Sequence, residues 1–373
     1  MIYADNAATT RIDENALKKM QQCLEEYGNA SQPYAFARTP KKLLKEARTQ
    51  IAECIGAKEN EIYFTSGGTE SDNWVIKEYA ASKHFDCHIV TTAIEHHAIL
   101  NATKAVKLVG TQVSYVGVDS SALINRTEFS NTLDTHGLVS VMFSNNEVGT
   151  IQPIKELCEE AHSKHYLFHT DAVQAVGHAP INVKNLGVDF LSASAHKFNG
   201  PKGIGFLYIK EDVILPALMS GGGQEYGLRA GTENVPSIVA MAIALKNNCT
   251  NMEKNRTLLC RCEEIFIREL NALNVHYVRN GNKIHMPGHI SISFPGIEGE
   301  TLLHRLDLKG ISVSTGSACD SKRTQISHVL TAMEMAPEIA ESTIRISFGK
   351  YNTEDDGIIL AHAIAEIINQ LNR

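Results

Sequence analysis

No apolar run in this 373-residue chain is long enough to span a bilayer, and no basic tract stands out. The first absence argues against a membrane protein. The second, with a net charge of -7 and a pI near 6.1, disfavours nucleic-acid binding. No leader is expected, since Met1-Ile2-Tyr3-Ala4-Asp5 has no basic stretch followed by an apolar one. Internal repeats and low-complexity segments are missing too. The eight cysteines do not make a disulfide framework in a chain of this length. Cys23, Cys54, Cys87, Cys158, Cys249, Cys260 and Cys262 are scattered and read as reduced thiols. Cys260 and Cys262 are too close in sequence to share a helix face, so no metal site is expected there. The expected setting is reducing and cytoplasmic, with no metal, membrane or nucleic-acid partner.

What is present is an ordinary soluble composition, 43% hydrophobic and 21% charged, with enough length for one large domain or two. Asp13 can cap a helix with apolar positions Ala16, Leu17, Met20, Leu24 and Tyr27, and a second helix is expected over Lys41 to Ile55. From residue 61, candidate strands at 61–65, 87–93, 111–118, 138–144, 166–171, 189–194 and 204–209 alternate with candidate helices at 71–83, 96–109, 126–133 and 154–164. This alternation predicts an α/β fold with a mostly parallel seven-stranded sheet covered on both faces. Ser220 to Glu225 is a glycine-rich break. A long helical stretch from about Ser237 to Leu273 then leads to a smaller α+β part, with strands at 289–294, 311–315 and 344–348 and helices near 300–308, 325–334 and 354–371. The expected division is a large domain, 14–252, and a small domain made of 1–13 and 253–373.

Chemistry concentrates at Ser192-Ala193-Ser194-Ala195-His196-Lys197-Phe198-Asn199-Gly200. Here one lysine follows a short buried strand, flanked by small residues. A lysine that must reach a carbonyl carbon uncharged needs partial desolvation and a rigid scaffold. A second apolar run, Tyr166 to Thr170, ends in Asp171. If the two strands lie side by side, Asp171 and Lys197 emerge at one sheet edge. An aspartate for the pyridine nitrogen and a lysine for the aldehyde are the pair that pyridoxal 5'-phosphate (PLP) requires. A phosphate site is supplied by Thr65-Ser66-Gly67-Gly68-Thr69-Glu70-Ser71, where a strand runs through two glycines into a helix N-terminus. Lys197, Asp171, Asn146 and the 66–70 loop all fall at strand ends, where sites in such sheets lie.

These motifs resemble the fold-type I PLP enzymes of the class V aminotransferase group, and among them the cysteine desulfurases. The resemblance runs through Ala4 to Thr10, Thr65 to Ser71, Glu95-His96, Asn145 to Gly149, Asp171 to Gln174, His196-Lys197, Arg229 to Thr232, Ser314 to Cys319 and Ile344-Arg345, in the family's order. It implies that His96 stacks on the PLP ring and moves protons, in preference to its neighbour His97. It also implies that Gly68, Thr69, Ser194 and His196 hold the phosphate, and that Asn146 and Gln174 contact cofactor or substrate. Thr232 is implied to reach the phosphate of the other subunit in a homodimer. One departure stands out. Where the family reads Asn-Pro-Ser-Ser followed by His and Gly, this chain has Ala30, Gln32, Tyr34 and Ala37.

Cys319 sits between small residues and the polar run Asp320-Ser321-Lys322-Arg323. By composition it reads as a surface thiol, whose pKa the two cations would lower. By resemblance it is the nucleophile that takes sulfur from L-cysteine, leaving L-alanine and a persulfide for an acceptor protein, as in iron–sulfur cluster assembly. Arg345, a charge within an apolar strand, needs an anionic partner: the substrate carboxylate or an internal salt bridge. A selenocysteine lyase or a small-substrate aminotransferase would keep Lys197 and Asp171 without using Cys319, and a docking subunit with a structural PLP is a third reading.

Overall fold

The computed structural model describes residues 1–134, 136–316 and 326–371. Its twelve strands in those residues are β1 (Ile2–Tyr3), β2 (Ile62–Thr65), β3 (His88–Thr92), β4 (Gln112–Val116), β5 (Gly137–Ser140), β6 (Tyr166–Asp171), β7 (Phe190–Ser194), β8 (Gly205–Ile209), β9 (Val278–Asn280), β10 (His289–Ser293), β11 (Ile311–Ser312) and β12 (Thr343–Ser347). Seven of them form one sheet in the order β2-β8-β7-β6-β5-β3-β4. Only β8 runs against its neighbours. All seven expected strands of this sheet are present, within a few residues of the predicted bounds.

The sheet is covered on both faces because successive side chains point to opposite sides. Ile89, Leu138, Phe190 and Leu207 pack on one side with Trp74, Val75, Ile99 and Val106. Val90, Val139, Leu191 and Phe206, each adjacent in sequence to one of those strand residues, pack on the other with Ile51, Leu157, Ile238 and Leu245. Parallel strands buried this way read as continuous apolar runs, which is why they were legible as short blocks.

The expected long helix over 237–273 is two helices, Val235–Thr250 and Met252–Ala272. They meet at Asn251, whose side-chain amide donates to the Asn247 carbonyl. The sequence Asn247-Asn248-Cys249-Thr250-Asn251 is rich in side chains that compete for backbone hydrogen bonds, so the helix breaks there. Beyond it, β12-β10-β9 form an antiparallel sheet with a separate core that includes Phe266, Leu270, Ile290, Leu302, Ile344 and Ile364. The expected strand at 311–315 divides. Its first residues pair in parallel with β1, and Ser314 exchanges two backbone hydrogen bonds with Arg345. Strand β9 and the short helix Pro337–Glu341 were not predicted. Among the described residues no helix is long and apolar enough to cross a membrane.

The N-terminal arm joins the two cores. Ala4 is buried in the small one. The Ala7 amide donates to the Ser347 hydroxyl, the Thr10 amide to the His196 carbonyl, and the Asp13 amide to the Asn199 carbonyl. Lys350 closes the seam with an ion pair to Asp13 at 2.7 Å. Phe190, fully buried in β7, is the residue whose loss should be felt by both sheet and site. Phe190→Ala is expected to lower the unfolding free energy by about 3–5 kcal/mol, read from denaturant titration.

Candidate active site

The carboxyl ends of β5, β6 and β7 open into a cavity of about 400 Å³. Its wall brings together Gly68, Thr69, His96, Asn146, Asp171, Gln174, Ser194, His196, Lys197 and Arg345. Two sequence-predicted residues do not join them. Thr232 is exposed and lies off the wall. Cys319 lies outside the described residues, although Gly316 and Ser327, on either side of it in sequence, both line the cavity.

Register sets the central pair. Asp171, the last residue of β6, sits opposite Ser192 of β7. A short turn, Ala195–Lys197, then follows β7 directly. The Lys197 ammonium donates to the carbonyls of Ala7 and Ala8, at 2.9 Å for the latter. Asp171 accepts the Val173 amide at 2.9 Å through Oδ1. Burial pushes its carboxyl up to about 6, against the pull of that amide and of Lys197.

The helix Gly68–Ser82 begins at Gly67, which offers no side-chain cap, so its first amides are available to an anion. A Cβ at position 68 would stand 2.5 Å from the Val173 side chain, so only glycine lets helix and strand end approach this closely. A carboxylate in the first turn, Glu70, would oppose an anion. It is paired with Arg229 at 2.9 Å and accepts the Ser66 amide. Burial pushes Glu70 upward, but those hydrogen bonds prevail and hold it below the usual range.

His96 caps the helix His97–Leu108, with Nδ1 accepting the Ala98 amide at 3.1 Å. That bond places the ring proton on Nε2. Burial first, then Lys197, lowers its pKa to about 4, so the ring is neutral. His196, 3.2 Å from the Thr9 hydroxyl through Nδ1, is lowered to about 4 for the same reasons. The Gln174 amide donates to the Ala7 carbonyl at 2.9 Å.

Arg345 resolves one of the open alternatives. Its Nη2 meets Asp5 Oδ1 at 2.7 Å and its Nη1 donates to the Asn146 carbonyl at 2.8 Å. The internal salt bridge is therefore present, while Nε is buried without a partner. Sequence reasoning missed Asp72, Glu147 and His328 and set His97 aside in favour of His96; all four are on the cavity wall. The signal for Asp72 was its position one helical turn past Gly68. His328 carried none, since only tertiary packing brings its ring within 4.8 Å of His97.

Residues 2–357 match the family model described as aminotransferase class-V. The chain belongs to that family. It is 42% identical to the cysteine desulfurase IscS of Methanosarcina thermophila, over 99% of this chain and 92% of that one. A solved NifS-like protein superposes with a TM-score of 0.93 at 38% identity, covering 99% of both chains. A structure titled SspA in complex with cysteine gives 0.83 at 30% identity, over 95% of this chain and 100% of that one. The fold is the fold-type I PLP-dependent transferase architecture the sequence predicts, and the family's cofactor is PLP.

The cavity's own features fit that cofactor. An uncapped helix N-terminus with a glycine cradle suits a phosphate dianion, and Ser194 and His196 stand beside it. A buried aspartate at a strand end suits a pyridine N–H, and Lys197 shares the same wall. For His96 the measurable consequence is a ring that stays neutral through mild acid. In the cofactor-free protein its NMR resonances should titrate near 4, not near the ordinary histidine value of about 6.5. Because the folded ring holds its proton more weakly than the unfolded one, its contribution to stability is full above about 6.5 and is lost as the pH falls towards 4.

Proposed function

We propose that this chain is a PLP-dependent cysteine desulfurase that converts L-cysteine to L-alanine and carries the sulfur as a persulfide on Cys319. The observation that carries the reading is one cavity wall that holds Lys197 and Asp171 together with Ser314, Thr315, Gly316 and Ser327, which bracket the sequence containing Cys319. An aminotransferase has no need of a cysteine there.

PLP, when bound, supplies an electron sink for the substrate's Cα and Cβ. Phosphate would be held by the first amides after Gly67 with Thr69, Ser194 and His196, and by Thr232 of a second copy. Asp171, ionised, holds the proton of the ring nitrogen. Lys197 takes the Cα proton and returns protons to the product. His96, neutral and with its proton on Nε2, donates to the cofactor or substrate without adding charge. Asn146, Gln174 and Arg345 orient the substrate, whose carboxylate finds Arg345 already braced by Asp5. The Cys319 thiolate attacks the substrate sulfur. An S–S bond forms as the Cβ–S bond breaks, the electron pair stays with the carbon fragment, and protonation releases alanine. Residues 14–252 bear the cofactor, and 1–13 with 253–373 bear the sulfur-accepting cysteine.

A homodimer completes this reading. Thr232 is exposed, as are Tyr27, Phe36 and Tyr226, which are 81%, 67% and 60% exposed, the rings of Tyr27 and Phe36 lying 5.7 Å apart. Exposed aromatics of this kind favour coverage by another protein surface. A sulfur-acceptor protein is the remaining partner, and a reducing cytoplasm suits a nucleophile that must stay a thiol.

Mass spectrometry of the PLP-loaded protein after L-cysteine should map a sulfur adduct to Cys319 while alanine appears. Lys197→Ala should form no alanine. Cys319→Ala should keep the bound cofactor's absorbance and lose the adduct; undiminished alanine output from that variant would overturn the assignment.

A further inference from the structure

Three carboxylates are buried around the end of β6: Asp171, Asp72 in the helix after the phosphate loop, and Glu95 ahead of His96. The reaction uses only the first. Asp72 is 1% exposed and lines the cavity, and its Oδ1 has no hydrogen-bond partner. Glu95 is fully buried, with Oε1 accepting both the Thr92 hydroxyl and the Met142 amide and Oε2 unpartnered. Among the described residues, no lysine or arginine pairs with either. Neighbouring carboxylates in a dry site cannot all be ionised.

Among the described residues the one basic group paired with Asp72 is His169, fully buried in β6. Its Nε2 lies 3.7 Å from Asp72 Oδ1, longer than the 2.7–2.9 Å of a charge-assisted hydrogen bond. That nitrogen instead faces the Ser192 hydroxyl at 3.0 Å, while Nδ1 faces the Ser140 hydroxyl at 2.8 Å. Hydrogen bonding from Ser192 pulls the Asp72 carboxyl down, against the larger push of burial. His169, held between two serine hydroxyls, brings Asp72 no counter-charge at hydrogen-bond distance. An imidazolium–carboxylate pair would have closed the 3.7 Å gap.

We propose that Asp72 is a positioning residue held as a neutral acid because it is buried beside other carboxylates with no counter-ion in hydrogen-bond reach, so that Asp171 is the carboxylate of this group that carries charge in the loaded site. The proposal rests on the assignment of Asp171 to the ring nitrogen. Burial pushes Asp72 well up, with Asp171 adding to it, and lowers His169 to about 3. Glu95, pushed up to about 8 by burial, is neutral beside them. Lys197 also acts on Asp171, and the neutral His96 lines the same cavity. An anionic Asp72 would raise the proton affinity of Asp171, draw the proton from the ring nitrogen and weaken the electron sink.

Infrared spectroscopy of the PLP-loaded protein, with aspartate carboxyls labelled with carbon-13, reads the proton directly. At neutral pH a carboxylic-acid carbonyl band should move with the label and vanish in Asp72→Asn. The pH midpoint of the cofactor's visible absorbance should shift by less than about 0.5 unit in that variant, since no charge is removed. No labelled acid band, a band that survives Asp72→Asn, or a larger fall in the midpoint would each overturn the proposal. If Asp72→Asn does not fold, Asp171→Asn is expected to keep the band, because burial is the larger cause; its loss there would place the proton on Asp171 and overturn the assignment. Failure of the desulfurase reading shows separately, as absence of alanine from L-cysteine in the wild-type protein.

Discussion

The parallel register of β6 against β7 is the constraint on which the rest of the site depends. Asp171 faces Ser192, and the turn to Lys197 begins three residues later. The two groups a pyridine aldehyde needs therefore emerge from adjacent strand ends, held by a backbone buried on both faces. A slip of one residue would turn Asp171 into the packed layer occupied by Phe168 and Leu191 or by Phe190 and Leu207. Everything else arrives at this edge from outside: the N-terminal arm with its carbonyls, the phosphate loop from β2, and Arg345 from the smaller sheet.

That hierarchy explains what could be read in the sequence. Asp171 ends a strand that opens with the apolar Tyr166-Leu167-Phe168, Lys197 follows one that opens with Phe190-Leu191, and a charge at such a boundary marks a strand end facing a crevice. The glycine pair before the helix at 68 was legible for a similar local reason. Where pairing is long-range the signal fails. Nothing in Ile311-Ser312 says that its partner is Ile2-Tyr3, or that Ser314 then turns to Arg345. Asp5, the counter-ion of Arg345, is 340 residues away in sequence. The break at Asn251 was local but was overridden by the apolar period on either side of it.

The site also manages charge by exclusion. His169 and His289 are buried and His96 and His196 half-buried, all with lowered pKa values, chiefly because burial disfavours the imidazolium. Asp72, Asp171 and Glu95 are pushed the opposite way by the same cause. Neutral donors and acceptors then dominate around a cofactor that brings its own phosphate charge, and Lys197 and Arg345 are tied to backbone carbonyls and Asp5. In a medium of low dielectric this arrangement limits the number of buried ions whose mutual field would have to be balanced.

The segment that ends at Thr232 is tied to the phosphate loop at two points. Glu70 binds Arg229 on one side, and on the other Glu225 accepts both the Phe64 amide and a two-point contact from Arg48. Glu225 and Tyr226 are both left-handed, with φ of 46° and 58°, a conformation that costs roughly 1–2 kcal/mol per residue without glycine. The buried Arg48 pair, at 2.8 Å and with Glu225 only 3% exposed, holds that turn in place. An outward-facing segment fixed this firmly to the strand and loop that cradle phosphate would transmit a shift at either end to the other. If Thr232 serves a second copy, as proposed, the two phosphate sites of the dimer are coupled through the Arg48–Glu225 and Glu70–Arg229 pairs, by short charge-assisted contacts that leave the turn little freedom to move independently of the loop.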